Sequence, residues 1–176
     1  MVGEEMKDNF AAALALVLQH EGGYVNDALD PGGATNKGVT QRVYDDWRRT
    51  QGMDPRAVRG ISANEVSAIY RSLYWNRVRG DDLPSGVDYS VFDLAVNSGV
   101  DRAIRFLQRA VGADQDGKFG PRTLALVRAN SPAEVAKAVN AYRLAFLKQL
   151  PTFAHFGTGW SRRVAEVDAK CGEMCA

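Results

Sequence analysis

Residues 20–40 read HEGGYVNDALDPGGATNKGVT. Five glycines, three carboxylates and two threonines follow directly on an apolar run in which Phe10, Leu14, Val17 and Leu18 recur at helical spacing. That helix is expected to stop at Gly22-Gly23, which suit a left-handed cap. The heaviest demand on backbone geometry therefore falls beside Glu21 and Asp30. A phosphate loop is excluded: no strand precedes it, no Gly-Lys-Ser/Thr ends it, and its carboxylates would repel a phosphate. A calcium loop lacks acids at alternate positions and a closing Glu. The half-match DQDG at 114–117 fails in the same way, with Ala125 where that Glu belongs. In both places Asp and Gly serve as turn formers.

A carboxyl pair on a cleft wall remains, next to the plainer reading of a capped helix followed by a turn. Glycosidases hold two carboxyl groups across the scissile bond, one to protonate the leaving oxygen and one to activate water or stabilise the cation. Glu21, at the last turn of a helix, feels the negative potential of unpaired carbonyls, which favours the protonated form that a general acid must carry. Asp30 follows nine residues later. The glycines allow the loop to turn back on the helix end and let a bulky sugar approach the backbone.

Outward from this stretch the periodicity stays helical. Thr40 is placed to cap QRVYDDWRRT. Ser62 and Glu65 form a capping box for a helix burying Val66, Ile69, Tyr70 and Leu73. GDDLPSG breaks the chain at 80–86. Residues 87–98 are apolar on most sides, as in a buried central helix. Tyr89, Asp93 and Asn97 share one face of it, either bonded to neighbouring helix ends or flooring a sugar cleft. Asp101 opens a helix closed by Gly112, Pro121 starts the next, and Ser131, Pro132 and Glu134 start a long one with the stripe Val135, Val139, Tyr142 and Phe146. After an aromatic loop, Trp160, Val164, Val167 and Cys171 mark the last. No alternating strand of useful length is visible. The expectation is an all-α, lysozyme-like fold of about eight helices, softest at residues 98–101. It divides into a catalytic domain at 8–98 and a helical wall-binding region at 99–176, packed on the first.

The 176 residues carry a net charge of +1, so no global field draws the chain to nucleic acid or membrane. No run reaches the roughly 18 apolar residues of a membrane span. MVGEEMKDNF has acids where an export signal needs bases. The expectation is a chain made in the cytoplasm without a standard signal peptide. Cys171 and Cys175, four apart and without a His pair, make no zinc site; free thiols are expected.

EGGYVNDALDPGGATNKGVT closely resembles the opening motif of glycoside hydrolase family 108, lysozyme-like N-acetylmuramidases of phage-endolysin type. The resemblance continues through LYWNRVRGDDLPSGVDYSVFDLAVNSG, and DGKFGPRT with YRLAFLKQLPTFAHFGTGWSRR resembles the peptidoglycan-binding region that usually follows. It implies hydrolysis of the β-1,4 bond between N-acetylmuramic acid and N-acetylglucosamine, with Glu21 catalytic and no metal or other cofactor. Related phage lysozymes place an Asp after eight intervening residues, which fits Asp30, and a Thr after five more intervening residues. Asn36 holds the strict position and Thr35 stands one early, so water positioning stays open among Thr35, Asn36 and Thr40. Tyr24 and Trp75 are candidate sugar platforms, with Tyr89, Asp93 and Asn97 as further substrate contacts. Implied partners are peptidoglycan and a holin or secretion system for export, with action in the periplasm or wall after release, as a monomer. The alternative is a non-catalytic peptidoglycan-binding or secretion-associated protein.

Overall fold

The structure, a computed structural model, describes residues 9–176; the acid-rich N-terminus and residue 8, where the expected catalytic domain begins, lie outside it. Eight α-helices account for most of the described chain: α1 (Asn9–His20), α2 (Gln41–Thr50), α3 (Ala63–Tyr70), α4 (Val87–Ser98), α5 (Val100–Val111), α6 (Pro121–Ala129), α7 (Pro132–Lys148) and α8 (Phe153–Cys175). The all-α reading holds. No helix among the described residues is long and apolar enough to cross a membrane.

Residues 14–73 form one compact unit, and residues 9–13 with 74–176 a second. In the first, Thr40 caps α2 by accepting from Val43 N at 3.2 Å, and Ser62 and Glu65 form the expected capping box. Arg48 bridges to Glu65 at 2.7 Å, and Tyr44 donates to the same carboxylate. α3 runs on into a π-helical turn, Arg71–Trp75.

One element of this unit was not expected. Thr35–Asn36 (β1) and Val39–Thr40 (β2) pair antiparallel, and Val25 bridges to Thr35 on the other side. The turn residues Lys37 and Gly38 have φ of 51° and 76°, the two left-handed positions of a two-residue hairpin turn. Gly22 and Gly23, by contrast, are not left-handed, so α1 ends at His20 without the glycine cap.

The second unit is built on α4, which packs against α5, α7 and α8. Its residues Val87 to Ala95 are buried without interruption. Phe10, Trp75 and Phe92 form an aromatic cluster with centroids 5.3–5.9 Å apart. Gly99 (φ 96°) turns the chain between α4 and α5, and Gly112 (φ 74°) closes α5 as expected. Two expectations need correction. Ser131 occupies the cap position of α7, but its side chain makes no capping bond. The aromatic loop is helical: α8 begins at Phe153. Gly157 is there for packing, since a Cβ on it would come within 2.8 Å of the Phe153 ring. Both cysteines are free.

Candidate active site

Glu21 is the first residue beyond α1 and is half-buried. Its carboxylate faces the hairpin turn. A Cβ built on Gly38 would stand 2.9 Å from Glu21 Oε2 and 3.2 Å from its Cδ, and would overlap the Tyr70 hydroxyl. That hydroxyl donates to Lys37 O at 2.9 Å. The turn therefore needs glycine twice over, for its left-handed backbone and for the space that Glu21 and Tyr70 fill.

Asp30 is exposed on the loop that leads into the hairpin. Its Oδ1 accepts from Gly32 N at 2.8 Å and its carbonyl accepts from Gly33 N at 3.0 Å, an Asx turn that fixes one carboxylate oxygen. Gly32 again permits close approach: a Cβ there would lie 3.0 Å from Thr40 Cγ2 and 3.2 Å from Asp30 Oδ1. Asp30 and Thr40 thus flank one glycine as Glu21 and Tyr70 flank another.

The hairpin separates the three candidates for holding water. Thr35 and Thr40 are cross-strand partners and project to one face. The Thr40 hydroxyl is engaged in capping α2, whereas the Thr35 hydroxyl makes no side-chain hydrogen bond among the described residues. Asn36 faces the other way, 8% exposed. Its Nδ2 donates to Val58 O and Arg59 O, both at 3.2 Å. It is a buried strut for the 3-10 turn at Val58–Gly60 and not a substrate contact. That turn brings the Arg59 guanidinium 5.2 Å over the Tyr24 ring. Tyr24 is 41% exposed, with one face braced and ring surface left open.

The other sequence candidates lie in the second unit, and three belong to its core. Trp75 has no exposed surface; its Nε1 donates to Asp81 Oδ1 at 2.9 Å, and its ring packs against Phe10 and Phe92. It is a packing residue, not a sugar platform. Asp93 is fully buried between Arg143 (2.6 Å) and Arg163 (3.0 Å). Burial alone would push its carboxyl up, but the two guanidiniums reverse this and hold it below the usual carboxylate range. Tyr89 is 2% exposed, its phenol pushed up by burial and then by the Asp93 charge. A sugar reaches neither. Asn97, one turn further on, is exposed and accepts from Arg143 Nη2 at 3.4 Å.

Sequence reading missed Gly38 and Tyr70 as parts of the site, and Arg143 and Arg59 altogether. A signal existed for the first: Lys37-Gly38 is a two-residue turn between Asn36 and Val39. The long glycine-bearing loop, the carboxyl at a helix end and the short hairpin all lie in a segment that matches a known family. A model described as Glycosyl hydrolase 108 matches residues 14–99. The structure of Brucella abortus SagA superposes with a TM-score of 0.82 at 42% identity, covering 96% of this chain and 97% of that one.

The chain belongs to glycosyl hydrolase family 108.

A second model, described as a predicted peptidoglycan domain, matches residues 102–165 of this family 108 chain. No curated protein matches it. Together the two segments make the chain a glycoside hydrolase directed at peptidoglycan. Glu21, Tyr24, Asp30, Thr35 and Gly38 all fall in the segment that carries the hydrolase match. Among the described residues no cluster of His, Cys, Asp and Glu is arranged to hold a metal ion.

Proposed function

We propose that this family 108 hydrolase is an N-acetylmuramidase that cuts the β-1,4 bond on the reducing side of N-acetylmuramic acid. The observation that carries the reading is the setting of Glu21. A half-buried carboxyl at a helix end, backed by a glycine turn that a tyrosine hydroxyl pins, can present a proton to a glycosidic oxygen in a fixed direction. Asp30, with one oxygen tied to Gly32 N, serves as base or cation stabiliser. Thr35 contributes a hydroxyl for the attacking water, and Tyr24 a ring for a sugar face. The chemistry needs no metal and no organic cofactor.

We place catalysis in residues 8–98 and wall binding in 99–176. The chain acts as a monomer on peptidoglycan, in the periplasm or wall, after a holin or secretion system releases it. Purified sacculi test the reading. Digestion followed by borohydride reduction should yield muramitol at the new ends, and Glu21→Gln should lower end release by about 10²–10⁴-fold while the fold persists. Glucosaminitol ends would mean the other glycosidic bond. A folded Glu21→Gln chain as active as the parent would leave a binding protein whose carboxyl does no chemistry.

A further inference from the structure

The first turns of α8 carry aromatic rings that the carboxylate loop does not use. Phe156 is 51% exposed. Its ring stacks on Trp160 at 5.7 Å with 30° between planes, and Phe153 supports Trp160 from 6.3 Å. Trp160 also walls a groove of about 480 Å³, whose other sides include Asn97 at the end of α4, Arg102 on α5 and Phe146 on α7.

The polar groups of this groove are preset. The Arg102 guanidinium lies 4.0 Å over the Phe146 ring, and its Nη1 donates to Ser98 O at 2.8 Å. It pairs with no carboxylate among the described residues, so its charge is held in place and left uncompensated. Asn97 is held through Oδ1, which accepts from Arg143 Nη2. Arg143 is itself locked in the core on Asp93. The Asn97 Nδ2 donors have no partner among the described residues.

Aromatic faces, an oriented amide and one uncompensated guanidinium suit a particular ligand. Sugar C–H faces and acetamido methyls pack on rings, hydroxyls or carbonyls accept from an amide, and a carboxylate takes the guanidinium. A peptidoglycan strand carries all three, its carboxylates on the stem peptides. A nucleic acid or an anionic membrane would call for several cations, and the groove presents a single one. Arg102, Phe146, Phe156 and Trp160 all fall in the segment that matches the peptidoglycan domain.

The structure assigns this groove as the face that holds a peptidoglycan strand, with Trp160 and Phe156 under the sugars and Arg102 on a stem carboxylate. The assignment rests on the wall-directed reading above but not on which bond is cut. The test uses the full chain as Glu21→Gln, so that sacculi are bound and not consumed, and follows co-sedimentation with purified sacculi. Phe156→Ser and Arg102→Gln change exposed or half-exposed groups, and each should raise the half-saturating concentration by about tenfold. Trp160→Ala should do more, with a melting curve to check its fold. Variants that sediment like their parent, or a parent that does not sediment, overturn the groove. End release by the unmodified chain is scored separately. Reduced binding without end release keeps the groove and removes the muramidase; end release with unchanged binding does the reverse.

Discussion

Glu21 and Gly38 are in each other's way: the space that a side chain on Gly38 would need is the space the Glu21 carboxylate occupies. Gly38→Ala would meet a left-handed backbone, which costs a non-glycine residue about 1–2 kcal/mol, and would also push on Glu21 and Tyr70. The expected outcome is a modest fall in melting temperature and a fall in end release of tenfold or more. Lys37→Asn is the control. Lys37 is also left-handed (φ 51°) but its side chain is exposed, and Asn tolerates the conformation. It should raise the melting temperature slightly and keep activity. Equal losses in both variants would mean that turn stability matters and the Glu21 clearance does not.

How far the sequence disclosed this can be traced residue by residue. Caps are local, so Thr40, Ser62, Glu65 and Gly112 announced α2, α3 and the end of α5 without tertiary help. The hairpin escaped because its strands hold two residues each, too short for any alternation to register. The stretch around Gly157 read as an aromatic loop, although it is helical and the glycine's role is contact with Phe153, a packing fact with no local signature. Asp93 stood on the expected face, but its partners Arg143 and Arg163 lie 50 and 70 residues away. Nothing in their own neighbourhoods marks them as partners of a buried carboxylate. Trp75 looked like a surface platform because the π-helical turn that rotates it inward breaks the helical period.

The Asp93 network makes a stability prediction. Asp93→Asn removes the carboxylate that both guanidiniums share, and Arg143 already has an Nε without a partner among the described residues. Removing one member of a buried ion pair typically costs about 3–5 kcal/mol. Urea unfolding of the full chain should show a loss of that size. A loss below about 1 kcal/mol would mean that water or a side-chain shift solvates the arginines.

Asp88 works in the opposite direction. Its carboxyl is buried at the start of α4, where Oδ1 accepts from Gly86 N and Tyr89 N, and Oδ2 accepts from Asn9 Nδ2. Burial outweighs these bonds and pushes it from 3.8 up to about 6. Between those two pH values the folded chain keeps a proton that the unfolded chain has released. Rising pH across that window therefore destabilises the fold, by roughly 3 kcal/mol at most. Asp88→Asn has no such titration. Unfolding free energies of the two proteins should differ in the variant's favour increasingly from pH 4 to pH 6.5, then run parallel. A difference independent of pH would show that the carboxyl is not held protonated by burial.

The stereochemistry of the reaction turns on Asp30. A retaining glycosidase needs its second carboxylate as a nucleophile roughly 5–5.5 Å from the acid; an inverting one leaves roughly 6.5–9.5 Å for a water. Asp30 stands on an exposed loop, with Oδ1 held by Gly32 N, so among the described residues only its other oxygen is uncommitted. The Thr35 hydroxyl, without a side-chain partner among the described residues, is suited to hold a water. These features favour water over carboxylate as the attacking group, and we expect inversion. Asp30→Asn should then cut the rate strongly without accumulating a glycosyl-enzyme, and Thr35→Val should lower kcat more than it raises KM. NMR of the first-formed product reads the outcome directly. An α-anomer agrees with Asp30 as base, whereas a β-anomer makes the enzyme retaining and requires Asp30, or another carboxylate, as the nucleophile.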